Sequence, residues 1–242
     1  MKTLLTLLLG LTLSLPVLAA PVLAAPALTV QTLYRVDAIK ASTPSCRRHC
    51  HQVDAQWPVF AGAWQWVNPL VAQQLAGGKL PASGLAGHYQ GQLRSDGEQG
   101  LESVDRVTVK DWKARFLVLE LSHYQYPEGA AHGMEARTWL TFDQKQKKLL
   151  QLDDVLVPGQ REALKRKLYA QYQQQVQALG LFEGIKYADF ADFDGWWLDA
   201  YGQLHVQYGQ YAIAPYAAGH PELTLGRDEL KGILRTAWLP RN

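Results

Sequence analysis

Three runs in the middle of the chain alternate apolar and polar positions with a period of two, the spacing of β-strands. They are Glu102–Lys110, Ala114–Tyr126 and Glu135–Asp143. In the second, Phe116, Val118, Glu120 and Ser122 oppose Leu117, Leu119, Leu121 and His123, so both faces are apolar near the middle. Such a strand belongs inside a sheet, covered on each side. In the third, Ala136, Thr138, Leu140 and Phe142 oppose Glu135, Arg137, Trp139 and Thr141; a polar turn at Asp143–Lys148 and a returning strand at Lys148–Leu152 complete a hairpin. Leu28–Lys40 and Gly87–Leu93 read as further extended segments. Between them, Ala63, Val67, Leu70, Val71, Gln74 and Leu75 step by three and four. This predicts a helix with Asn68 as N-cap, Pro69 at its first position and Gly77-Gly78 as its stop.

Beyond residue 150 the longest helical stripe is Leu164, Leu168, Tyr172, Val176 and Leu179, predicting a helix over Gln160–Leu179 that Gly180 ends. Lys165-Arg166-Lys167 falls on its wet face. Asp189–Leu198 and Leu204–Ile213 predict a second hairpin around residues 200–203. Pro221–Leu225 predicts a last short strand, and Asp228–Trp238 an amphipathic helix with Leu230, Ile233, Leu234 and Ala237 facing inward. Strands and helices come in separate runs joined by short turns. The expected class is α+β, an antiparallel sheet with helices packed on it.

The amino terminus changes the setting. Lys2 precedes a Leu-rich run, Leu4–Leu18, and an Ala-rich stretch with several small-residue cleavage positions, so residues 1–27 read as a signal peptide. The expected location is periplasmic or secreted, with no membrane span after the signal is removed. The chain carries 24 Lys+Arg against 22 Asp+Glu; loss of the leader's single Lys leaves 23 against 22. So balanced a chain lacks the basic footprint of a nucleic-acid binder. The rest divides into an amino-terminal half, 28–113, and a carboxy-terminal domain, 114–242. The two cysteines, Cys46 and Cys50, lie in Ser-Cys-Arg-Arg-His-Cys-His. In an oxidising compartment they predict a disulfide across a tight loop, contributing on the order of 2 kcal/mol. The alternative is a zinc set completed by His49 and His51, but four ligands within six residues rarely close a tetrahedron.

Searching for chemistry turns up binding features more readily than catalytic ones. There is no Gly-x-Ser-x-Gly elbow, His-Glu-x-x-His motif, phosphate loop or dinucleotide fingerprint. No catalytic residue, metal or cofactor is expected. Asp189, Asp192, Asp194 and Asp199 could supply a glycosidase pair only if two of them faced one another across a cleft. Two loops stand out: Tyr126-Pro-Glu-Gly-Ala-Ala-His-Gly133 and Tyr211-Ala-Ile-Ala-Pro-Tyr-Ala-Ala-Gly219. Each reads as a strand entering a rigid, small-residue loop with an aromatic at its edge. The candidate binding residues are Tyr126, His132, Gly133, Pro215, Tyr216 and Gly219. To these Trp197 is added: neighbours on a strand point to opposite faces, so one ring of Trp196-Trp197 fills the core and the other is either covered by a helix or exposed as an anchor for sugar or protein. His132 has a second reading as a loop brace, and Tyr216 as a plug at the sheet edge.

In the order and spacing of four motifs the chain resembles the ectodomain family of RsiV, a lysozyme-sensing anti-sigma factor; the same domain is attached to the peptidoglycan deacetylase PdaC. The motifs are Gly-Ala-Ala-His-Gly at 129–133, Thr141-Phe142-Asp143, Leu152-Asp153-Asp154-Val155-Leu156, and Tyr-Ala-Ile-Ala-Pro-Tyr-Ala-Ala-Gly at 211–219. Ala130 stands where the family pattern leads one to expect a second glycine. The resemblance implies an α+β ectodomain that recognises a lysozyme-like muramidase. The sigma-binding and deacetylase parts do not carry over. The expectation is therefore a non-enzymatic binding protein whose partner is a lysozyme-like protein; the alternatives are a peptidoglycan- or glycan-binding accessory and a hydrolase.

Overall fold

A computed structural model describes residues 34–44, 48–93, 99–113, 115–199 and 201–238. The signal-peptide segment and Cys46 lie outside the described residues. Among the described residues, nine strands form two sheets. The first has six strands in chain order: β1 (Tyr34–Ser42), β2 (His51–Phe60), β3 (Leu101–Trp112), β4 (Phe116–Pro127), β5 (Met134–Asp143) and β6 (Lys148–Leu149). The second has three, β7 (Gly195–Leu198), β8 (Leu204–Gln207) and β9 (Glu222–Leu225). The class is α+β, as the pattern predicts.

One pairing departs from the antiparallel expectation. β2 and β3 run parallel, His51 opposite Leu101 and Gln56 opposite Arg106. Parallel neighbours need a long crossover, and α1 (Asn68–Leu75) and α2 (Gly84–Gln92) supply it. The extended reading of Gly87–Leu93 is thereby corrected: this segment is helical through Gln92. Gly87 sits so close to Ser83 that a Cβ there would meet its Oγ at 1.7 Å, and Tyr89 is wholly buried. Tertiary packing decides the segment against its poor helix propensity.

Asn68 also differs from expectation. Its side chain does not cap α1; it accepts from the Phe60 N–H at 2.8 Å and donates to the Phe60 carbonyl at 2.9 Å. It thus ties the end of β2 to the helix start. Gly77 and Gly78, both at positive φ, stop the helix as predicted.

β4 is internal and wholly buried at Leu117, Val118 and Leu119. Its helix-side residues join Leu140 and Phe142 of β5 and pack on Phe60, Trp64, Val67, Val71 and Leu75. A second core lies under the other sheet. There α3 (Leu152–Val155) and α4 (Arg161–Leu179) bury Leu164, Leu168 and Tyr172 against Leu204, Val206, Leu223 and Leu225. Gly180 closes α4 at φ 61. The predicted closing helix is absent: residues 228–235 form turns, with a single 3₁₀ turn at Thr236–Trp238. Gly232 at φ 76 breaks the helical path. Leu230, Ile233 and Leu234 are nevertheless buried as expected, and Leu234 bridges to Leu156. The second hairpin is shorter than its pattern, and residues 211–219 are turns and a 3₁₀ turn rather than a strand.

Candidate functional site

β4 ends at Pro127, and Ala130 N–H bonds back to the Pro127 carbonyl at 3.0 Å. The Tyr126 hydroxyl donates to the Ala130 carbonyl at 3.1 Å, closing the loop on itself. Gly129 takes φ 82, which a side chain would resist. Gly133 lies against Tyr124, where a Cβ would approach the ring to 2.3 Å. These contacts hold His132 at the loop's far end.

The second loop is anchored from below by Ile213 and Ala214, both wholly buried. Pro215 caps a 3₁₀ turn, Tyr216–Ala218, which Gly219 ends at φ 68. The two loops meet there. The Tyr216 and His132 rings stack with centroids 4.1 Å apart. The Gly133 carbonyl accepts from both the Tyr216 hydroxyl at 3.1 Å and His132 Nδ1–H at 3.0 Å. Alongside, Gln210 Oε1 accepts the Glu135 N–H at 3.1 Å. Six of the seven candidate residues thus belong to one apex: Tyr126, His132, Gly133, Pro215, Tyr216 and Gly219.

Sequence reasoning passed over the apex's outermost side chains. Tyr211 is 49% exposed, Met134 45% and Phe182 39%. The Tyr211 ring packs 5.8 Å from Tyr216, Met134 follows Gly133, and the Phe182 N–H bonds the Ile213 carbonyl at 2.9 Å. Three large apolar side chains therefore adjoin the same loops. Tyr211 also holds φ 66, a left-handed backbone that a bulky residue enters at a cost.

Trp197 lies elsewhere, in a groove of about 600 Å³ where the second sheet meets β3, β4 and β5. It stacks on Trp139 at 3.6 Å and on His205 at 4.8 Å, with planes within 16° and 5°. Two rings so close and so nearly parallel cannot share one face, so Trp197 is sandwiched. Trp139 donates from Nε1 to Gln207 Oε1 at 3.0 Å, and Lys110 Nζ lies 5.5 Å from its ring. The expectation of a ring left for a ligand is corrected: Trp197 is a tie between the sheets.

The four candidate aspartates do not converge. Of Asp189, Asp192, Asp194 and Asp199, Asp199 lines this groove, together with Asp111, Glu120 and Glu222, and its Oδ1 accepts the N–H groups of Tyr201 and Gln203 to close the β7–β8 turn. Asp194 packs against Gly209. No cluster of three metal-ligating side chains occurs among the described residues. Near Tyr126, the His49 ring lies 2.9 Å from Glu128 Oε2. That hydrogen bond and the Gly100 N–H hold the Glu128 carboxyl below its usual range. No described cysteine is free.

Fold and site together define a two-sheet α+β protein whose distinctive surface is a loop apex built from both sheets. In sequence, residues 153–228 match the family model described as "Protein of unknown function (DUF3298)". In structure, the chain is similar to a DUF3298 family protein from Pseudomonas aeruginosa PAO1, with TM-score 0.72 and 28% identity, covering 86% of this chain and 98% of that one. It is also similar to a member of that family from Bacteroides fragilis NCTC 9343, with TM-score 0.65, covering 84% and 94% respectively; at 18% identity that likeness is one of fold. No curated protein matches the sequence. No helix among the described residues is long and apolar enough to cross a membrane.

Proposed function

We propose that this chain is a secreted or periplasmic binding protein, without catalysis of its own, that docks a lysozyme-like muramidase through the apex of residues 126–133 and 210–219. The carrying observation is Tyr211, half exposed on a left-handed backbone. Strain kept at an exposed aromatic does nothing for the core and marks a contact side chain. Tyr211, Met134 and Phe182 form an apolar rim of the kind that marks protein interfaces. The His132–Tyr216 stack holds the rim in place before binding, which lowers the ordering cost of association. Two of the four RsiV-like motifs, 129–133 and 211–219, lie in these loops, and the resemblance supplies the partner class. The reading includes cleavage of residues 1–27 and a Cys46–Cys50 disulfide. A glycan platform has less support, because sugar stacking needs a free indole face and Trp197 has none. A hydrolase has less still, because the carboxylates lining the groove are engaged elsewhere: Glu120 with Lys110, Asp111 with Lys113, Glu222 with His205, and Asp199 with the β7–β8 turn.

The test is calorimetric titration of the mature protein with a c-type lysozyme at moderate salt, alongside the Tyr211→Asn variant. Asn tolerates the left-handed backbone, so the variant keeps the fold while removing the ring. Saturable 1:1 binding, weakened about tenfold or more in the variant, is expected for an aromatic anchor. Absence of binding by the parent protein refutes the partner; equal affinities refute the apex.

A further inference from the structure

The joint between the sheets carries its own chemistry. β5 meets β7, and the joint is packed by the Trp139–Trp197 stack and bridged by the Trp139–Gln207 and Glu135–Gln210 hydrogen bonds. The far side of Trp197 is covered by His205, whose ring lies nearly parallel to the indole. Around that ring, β9 supplies Glu222, whose Oε1 lies 2.7 Å from Nδ1, and Thr224, whose Oγ1 lies 3.2 Å from it. The residue after β7 supplies Asp199, 3.5 Å from Nε2. The charges across the groove are paired with one another, Lys110 with Glu120 at 3.1 Å and Arg137 with Glu135 at 3.0 Å. His205 thus lies between two carboxylates, Glu222 on β9 and Asp199 just after β7.

We propose that His205 is a proton-operated clamp: its imidazolium presses Trp197 onto Trp139, and loss of the proton loosens the joint between the two sheets. With both nitrogens protonated, the ring donates toward Glu222 and faces Asp199 with an N–H, and it lies as a cation on the indole face. Deprotonation leaves one N–H for two carboxylates. Glu222 and Asp199 then repel across a neutral ring, and the cation–indole attraction is gone. Burial pulls the His205 pKa down, but the hydrogen bonds and charges of Glu222 and Asp199 outweigh it and leave the pKa raised. A group with a raised folded pKa stabilises fully below its unfolded value and loses that contribution as pH rises through the folded one. The clamp is closed in mild acid and opens toward alkaline pH. The apex draws one loop from each sheet, so its two halves move relative to each other when the clamp opens. The inference stands whether or not the partner reading holds.

Two parallel indoles at van der Waals distance couple excitonically, and circular dichroism reads that coupling. Trp197→Phe, which removes one member, identifies the signal. In the parent chain the couplet should fall as pH rises from about 5 to about 9, with a midpoint above about 6.5, the ordinary histidine value. His205→Gln should flatten the titration, and Glu222→Gln should lower its midpoint. A pH-independent couplet, or the same titration in His205→Gln, overturns the proposal. Should His205→Gln fail to fold, an unchanged midpoint in Glu222→Gln overturns it equally.

Discussion

The apex is argued to be rigid because His132 and Tyr216 hold each other, and that coupling has a size. An aromatic pair in contact contributes about 0.5–1.5 kcal/mol beyond burial, and a hydrogen bond about 1 kcal/mol net. Tyr216→Ala removes the 4.1 Å stack and the hydroxyl's bond to the Gly133 carbonyl. It should therefore cost about 2 kcal/mol, or about 4–8 °C in Tm for a chain of this size. Tyr216→Phe keeps the stack and should cost about 1 kcal/mol. His132→Ala removes the same stack and its own bond to that carbonyl. Since the stack is lost only once in the double variant, a cycle of the two alanine changes should give a coupling of about 1 kcal/mol. Reversible urea unfolding of the four proteins at one pH measures it. A cycle that closes within about 0.3 kcal/mol, the additivity of independent sites, would mean that the rings are neighbours without holding one another. The apex would then not be pre-organised by this pair.

Two further changes test other parts of the construction. Arg115 grips the fully buried Asp143 carboxylate, with Nη2 at 2.7 Å and Nε at 3.2 Å from Oδ2, and its guanidinium lies over Phe116 and Trp238. Arg115→Ala should cost about 3 kcal/mol, because a buried charge loses its partner. Burial opposes ionisation of Asp143, but Arg115 and the N–H groups of Lys145 and Gln146 outweigh it and hold the pKa below the usual carboxylate value. The stabilisation is present above the unfolded pKa and lost as pH falls through the folded one. The variant lacks that stabilisation, so the gap in Tm between the two proteins should be widest near neutral pH and narrow as pH falls through the folded pKa of Asp143; a gap that stays constant into acid would contradict this. At the sheet joint, a Cβ on Gly195 would meet Trp139 Cδ1 at 2.4 Å. Gly195→Ala should cost about 1–3 kcal/mol by overpacking, whereas Gly91→Ala, with open space around it inside α2, should stabilise by about 0.5–1 kcal/mol. Equal melting temperatures for these two variants would refute the packing account.

What could be read from the chain and what could not divide along a physical line. β3, β4, β5 and α4 are long, and their apolar positions repeat over many residues, so a one-dimensional period exposes them. α2 does have a signal, Leu85, Tyr89 and Leu93 at steps of four, but Gly84, Gly87 and Gly91 mask it. The closing segment has the reverse fault: its apolar spacing is helical, and one glycine with positive φ cancels it. Both apex loops are legible as small-residue segments edged by aromatics. Their meeting is not, because the Tyr216–Gly133 hydrogen bond spans 83 residues, and no local period encodes it. The same limit explains Trp197. Neighbours on a strand face opposite ways, so sequence finds a ring that the second core does not need. That this ring is sandwiched, rather than open, depends on Trp139 and His205 arriving from two other strands. The pairings that unite the sheets are therefore the features sequence periodicity misses, and they are also where a proton or a partner could act on both halves of the apex together.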